Sequence, residues 1–307
     1  MDDKQSGQIG DKKMHTFEID TIVHIYTDPL LGDKLVISNA FADAEIYLLG
    51  GNLTHFQPKG EEKIIFDGKQ SAIFPSKSAH FGVPVCWPWF GPHPTDSSKA
   101  QHGFARNMHW DIVETKVFPQ GETFVKLQLS ENEMTLDLFP HSFHLTLTFT
   151  IGKTLNITLC THNTSNSPMQ LTQALHSYIY VEEVKEVQVK GLEHISYLDQ
   201  LDKHKMKQSS APIEIQAELD RIYIDTDKTC HVTDPLLKRN IIIEKEYSHS
   251  TVVWNPGEKN TLHDIGKEKY HQFVCVETAN VRDDMIIIEP QKSYTLIQKI
   301  YCESLDI

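Results

Sequence analysis

Between Phe143 and Leu159 the chain alternates apolar and polar residues with a period of two, and that pattern restricts the fold more than any other feature. Phe143, Leu145, Leu147, Phe149 and Ile151 alternate with His144, Thr146, Thr148 and Thr150; after Gly152-Lys153 the alternation resumes at Leu155, Ile157 and Leu159, against Asn156 and Thr158. Successive side chains of a strand point to opposite faces, so the pattern describes a half-buried antiparallel hairpin with a tight turn. Segments of similar texture, rich in Val, Ile, Thr and aromatic residues, fall at 34–39, 44–49, 123–130, 170–181, 221–225, 241–254, 271–281 and 295–301. No amphipathic helix longer than a turn or two is evident. Alternating βαβ units are missing as well, which sets aside the doubly wound, TIM-barrel and P-loop mechanisms. The expectation is an all-β fold, a large antiparallel β-sandwich. The polar stretch 201–212 interrupts strands of the same character on both sides and reads as a loop. Residues 14–307 are therefore expected to form a single domain, preceded by a flexible tail over residues 1–13.

Charge narrows the partners. With 42 acidic and 29 basic residues the formal charge is −13, a field that repels nucleic-acid phosphates and anionic lipid. No apolar run approaches the roughly 20 residues of a membrane-spanning helix. Nucleic acid and membrane are thus not expected partners, and an anionic ligand must be held by a few placed cations. The five cysteines (Cys86, Cys160, Cys230, Cys275, Cys302) are scattered, odd in number and form no CxxC. That argues against a disulfide framework or a structural zinc site and fits a reducing, cytoplasmic setting, each thiol being a small buried hydrophobe.

Four segments depart from plain strand texture. Residues 82–94, GVPVCWPWFGPHP, combine two Trp, a Phe, four Pro and two Gly. The prolines pre-set a rigid irregular path; such a loop serves either as an aromatic plug in the core or as a wall for a sugar ring. QHGFAR follows, with His102 and Arg106. His176 sits in QALHSYIYV, a polar ring in an apolar strand. Glu277 closes the apolar run of FVCVETANV, where a carboxylate is costly unless paired or used.

Taken in order, WPWFG, HGFAR, ALHSY, VVWNP and VCVE resemble the hexose-6-phosphate mutarotases (glucose-6-phosphate 1-epimerases) of the aldose 1-epimerase superfamily, from about Gly50 to the C-terminus. The resemblance implies a galactose-mutarotase-like supersandwich, a sugar or sugar-phosphate substrate, and no metal or organic cofactor. It also implies catalytic residues at His102, His176 and Glu277, and a phosphate-holding role for Arg106. One departure stands out: His80 occupies the place where the family commonly has a second Arg, and Tyr178-Ile179-Tyr180 replaces the Tyr-Phe-Arg often found after the ALH motif.

Exchanging α and β anomers means opening a hemiacetal and closing it on the other face, which asks for one acid and one base about C1–O5. Glu277 is assigned as base on the C1 hydroxyl, His176 as acid toward the ring oxygen, and His102 as support. Trp87, Trp89 and Phe90 are expected to line the pocket, with Trp254 lining it or filling the core and Asp199 accepting a bond from a sugar hydroxyl. The oligomeric expectation is a monomer or weak homo-oligomer. Three rival readings remain. One is a metal site built from His102, His176 and Glu277; another is a general epimerase of unphosphorylated sugars; the third is a sugar-binding sandwich without catalysis.

Overall fold

The computed structural model describes residues 15–68, 79–259, 262 and 265–305; the tail expected over residues 1–13 lies outside them. The hairpin read from the alternation is present, pairing Phe143 with Asn163 through to Ile151 with Leu155. Every second residue of Phe143–Ile151 and Leu155–Asn163 is buried, because a strand with one face on the core must be apolar at every other position. Thr123–Ser130 and Ser293–Ser304 flank the hairpin. Together they form the middle of a nine-stranded sheet that runs from Ile213–Glu214 at one edge to Asp111–Val117 at the other.

The second large sheet has eight strands. Across it lie Lys205–Gln208, Ser196–Asp199, Leu219–Tyr223, Ser250–Asn255, Phe273–Asn280, Gln173–Leu175 and Val85–Cys86, and Tyr178–Tyr180 also pairs with Phe273–Asn280. A four-stranded sheet (Val23–Asp28, Gly32–Ser38, Ala42–Tyr47, Asn52–Pro58) and a ribbon of Met169–Leu171 with Ile286–Ile288 make up the rest of the described strands, and the described strands pair antiparallel. The one described α-helix, Glu133–Leu138, has six residues and is capped by Asn132, whose side chain accepts from the Thr135 N–H.

The large sheets share one buried cluster, to which Val274 and Val276 contribute from one side and Leu147, Phe149 and Ile157 from the other. A polar link crosses this layer. Ser177 Oγ donates to Gln298 Oε1 at 2.6 Å, and Gln298 Nε2 donates to Thr278 Oγ1 at 3.0 Å. Even-numbered residues of Phe273–Asn280 therefore face the nine-stranded sheet. The odd-numbered ones, Phe273, Cys275, Glu277 and Ala279, face the opposite side.

Two expected strands are subdivided. Segment 170–181 is three pieces: Met169–Leu171 leaves for the ribbon, Gln173–Leu175 and Tyr178–Tyr180 stay with the eight-stranded sheet, and His176 falls in the break. Segment 241–254 turns back on itself at Tyr247, whose φ is 59°, giving Arg239–Glu246 in one sheet and Ser250–Asn255 in the other. The cysteine expectation also needs adjusting. Cys86, Cys230 and Cys275 are buried, whereas Cys160 and Cys302 are only partly so; all five are free thiols.

Candidate active site

The outward face of the eight-stranded sheet carries a cavity of about 310 Å³. Strand register decides what faces it. Val252 pairs with Glu277 and Ile222 with Val252, while Asp220 pairs with Trp254; all five side chains line the cavity, together with His80, Phe90, His102, Arg106, His176, Tyr178 and Gln200.

His176 is held by its backbone rather than by a continuous strand. Its N–H donates to Pro84 O at 3.0 Å, the Ser177 N–H to Leu175 O at 3.0 Å, and the Tyr178 N–H to Gly82 O at 3.0 Å. The ring stacks on Tyr178 at 4.9 Å and 11°, and meets Trp254 edge-on at 5.9 Å. Nε2 then lies 3.4 Å from Glu277 Oε1, with the carboxylate 1 % exposed. His176 Nδ1 and Glu277 Oε2 are buried without a hydrogen-bond partner among the described residues, an arrangement found where polar groups serve something other than stability. Burial pushes the Glu277 carboxyl well above its usual range; Asp220 adds to this, and Arg106 opposes it. Burial likewise drives His176 well below the usual imidazole value, reinforced by His102 and Arg106. Dry surroundings disfavour both charges, which favours the neutral forms, carboxylic acid beside imidazole, over an ion pair.

HGFAR and WPWFG are one structural unit. Trp87 O accepts from the Phe104 and Ala105 N–H groups at 3.0 and 3.2 Å. Gly103, with φ of 74°, passes so close that a Cβ there would meet Trp87 O at 1.9 Å, so only glycine fits. This packing delivers His102 to the cavity rim, 5.8 Å from the His176 ring and edge-on to Phe90 at 4.7 Å. His102 Nδ1 accepts from the Gly91 N–H at 3.3 Å, which leaves the proton of the neutral ring on Nε2. Burial, with Arg106 second, brings the His102 pKa down to about 3. His102 is therefore a neutral donor. Arg106 follows two residues after Phe104. Its Nη2 donates to Gln101 O at 3.3 Å, and its Nε is buried without a partner among the described residues.

The aromatic residues divide. Phe90 and Trp254 line the cavity. Trp87 is fully buried and donates to Thr161 Oγ1 at 3.0 Å, filling the core. Trp89 donates to Ala100 O and lines an adjoining cleft instead. Asp199 is not brought to the cavity. It pairs with Arg221 while its neighbour Leu198 pairs with Ile222, so alternation sends its carboxylate to the other face, where Lys207 meets it at 2.8 Å. The cavity carboxylate besides Glu277 is Asp220, unremarked in the sequence reading. Burial, with Glu218 next, raises its pKa to about 6. Its signal was its place two residues before Ile222. Among the described residues no three His, Cys, Asp or Glu side chains are grouped to hold a metal ion.

An antiparallel sandwich with an aromatic-walled cleft over a buried carboxyl–imidazole pair has the geometry of a binding or catalytic site. Comparison supplies the class. Residues 33–301 match the family model of aldose 1-epimerase. A "Putative glucose-6-phosphate 1-epimerase" from Cenchrus ciliaris is 33% identical over 262 residues, 82% of this chain and 78% of that protein; one of the same name from Escherichia coli K12 is 31% identical, over 80% and 83%. The crystal structure of a "putative mutarotase (YeaD)" from Salmonella typhimurium superimposes with a TM-score of 0.85 at 27% identity, covering 96% of this chain and 99% of the other. The chain belongs to the aldose 1-epimerase family. It is an isomerase, and its reaction class is the interconversion of sugar anomers.

Proposed function

We propose that this protein exchanges the anomers of a hexose 6-phosphate, with Glu277 and His176 moving the protons and Arg106 holding the phosphate. The observation that carries the reading is the 3.4 Å contact of His176 Nε2 with Glu277 Oε1 on the cavity floor, with Arg106 lining the same cavity.

Sugar hydroxyls entering the cleft supply the hydrogen bonds that the dry pair lacks, so the proton passes to His176 and Glu277 becomes a carboxylate. The carboxylate then takes the proton from the C1 hydroxyl as the C1–O5 bond breaks, and the bond's electron pair on O5 receives the proton from His176 Nε2. Rotation about C1–C2 presents the other face of the aldehyde. O5 adds back to C1, its proton returns to His176, and Glu277 returns its own to O1. His102 Nε2–H donates to the oxygen that gains charge. Asp220 accepts from a ring hydroxyl, and Phe90 and Trp254 cover apolar C–H faces. No step consumes anything but the sugar. The relatives' names support the phosphorylated substrate; so does the placement of an Arg, whose planar fork matches phosphate in a way Lys cannot.

The test is anomer exchange measured by NMR with glucose and glucose 6-phosphate in parallel. Arg106→Lys is expected to raise KM for glucose 6-phosphate about tenfold, roughly 1.4 kcal/mol of binding, while kcat and the constants for glucose change little. Equal KM values for the two sugars, insensitive to the substitution, would assign the enzyme to unphosphorylated aldoses instead.

A further inference from the structure

The cavity that holds Glu277 does not end at its own rim. A second cleft of about 760 Å³ adjoins it, and the two share Phe90, Gly91, Pro92, Gln200 and Ile222. At about 310 Å³ the first is at the small end of ligand sites, which run to roughly 1,000 Å³, a size that suits a single sugar ring. The second is left over.

Its walls have the character of a carbohydrate site. Trp89, Phe90 and the prolines of the WPWFGPHP loop contribute to its lining, as do Gln170, whose amide Nε2 contacts Met285 Sδ, and Gln200. Flat apolar surface with a few convergent amides suits a ring that has C–H faces and hydroxyl edges. The lining also includes a cation, Arg282, near enough to Asp220 of the first cavity to oppose the rise in its pKa. Arg282 Nη2 contacts Gln200 Oε1 at 3.1 Å and His204 Nδ1 at 3.4 Å, and no contact among the described residues engages its Nε or Nη1. Arg282 and His204 both take left-handed backbones, φ 58° and 59°, a conformation that non-glycine residues keep only when their surroundings impose it. In the reaction proposed above the C6 phosphate lies toward Arg106, so a substituent entering the second cleft would leave the ring from a different edge, away from C1.

We propose that the adjoining cleft is a second sugar subsite, and that the ligand spanning both clefts is a reducing disaccharide whose non-reducing ring carries a phosphate held at Arg282. The reducing ring exchanges its anomers at Glu277 and His176, so the inference rests on the reaction proposed above. Arg106 serves the phosphate of a monosaccharide; Arg282 serves that of the longer ligand.

Cellobiose 6′-phosphate, cellobiose and glucose 6-phosphate are compared by NMR exchange with the wild-type protein and two variants. Arg282→Asn removes the cation but tolerates the left-handed backbone; Met285→Trp fills the second cleft, which Met285 lines. The phosphorylated disaccharide is expected to be exchanged with kcat/KM within tenfold of glucose 6-phosphate. Arg282→Asn is expected to raise its KM tenfold or more, and Met285→Trp to abolish its exchange. Glucose 6-phosphate should change less than threefold in either variant. Turnover of glucose 6-phosphate with no turnover of the phosphorylated disaccharide overturns the proposal, as does equal KM for cellobiose with and without phosphate. Failure of all three sugars refutes the anomer-exchange reading itself.

Discussion

The two large sheets of this protein are built on different rules. In the nine-stranded sheet, Phe143–Ile151 buries every second residue and turns threonines and His144 outward. In the eight-stranded sheet, Phe273–Asn280 is buried at all eight positions, one face against the neighbouring sheet and the other beneath the cavity. A strand covered on one side shows its fold by alternation. A strand covered on both sides has no alternation to show, and any charged residue in it is an exception that needs a reason. Glu277 is that exception. On the proposed mechanism stability and chemistry reside largely on different sheets, and substitutions should separate them.

The largest expected effect is on the structural side. Phe149 is 1 % exposed, and Phe149→Ala should cost about 3–5 kcal/mol through lost transfer energy and the cavity left behind. Denaturant unfolding measures that loss, while kcat of the folded fraction should stay within twofold. A large fall in kcat without loss of stability would break the division of labour.

On the chemical side, His176→Asn should lower kcat by about 10² or more, the scale of a lost proton-transfer group. His102→Asn, which removes a neutral donor, should cost about tenfold, in line with one hydrogen bond of roughly 1–1.5 kcal/mol. If the His102 variant is the more crippled, the two roles exchange.

Asp220 sharpens the comparison because it belongs to the site yet burdens the fold. Its pKa is raised to about 6, so the folded protein holds a proton that the unfolded chain releases above pH 4. Stability accordingly falls as pH rises from about 4 to 6. Asp220→Asn should therefore stabilise the protein above pH 6, by at most about 3 kcal/mol at 1.36 kcal/mol per unit, and by nothing at pH 3.5. Its KM for sugar should rise severalfold. Thermal unfolding across pH, with KM at pH 7, checks both. A variant less stable at pH 7 would contradict the assignment of Asp220 as a half-buried carboxylate whose ionisation costs stability.

What was legible in the sequence follows the same division. The hairpin, its flanking strands and the all-β class were readable because half-burial writes a period of two into the chain. His102, Arg106, His176 and Glu277 were readable through motifs, and the structure brings all four, with His80, to one cavity. Segment 170–181 was not resolved into its parts, since Thr172 and Ser177 break the backbone without interrupting the apolar texture. Asp199 and Asp220 depend on register. A strand read as 221–225 leaves Asp220 outside, whereas the actual strand Leu219–Tyr223 places it on the face of Ile222. Pairing with a distant strand fixes that face, and no local pattern encodes it.

The central claim is that Glu277 does chemistry at the expense of stability, and Glu277→Gln tests it in one protein preparation. Gln keeps the shape and removes the charge. Burial raises the Glu277 pKa, so the wild-type fold loses stability as pH rises above about 4.5, where the unfolded carboxyl ionises, and the variant is free of that loss. Anomer exchange of glucose 6-phosphate by NMR should fall about 10² or more, while the melting temperature at pH 8 equals or exceeds that of the wild type. Exchange at a near-normal rate in a folded Glu277→Gln protein would contradict the account.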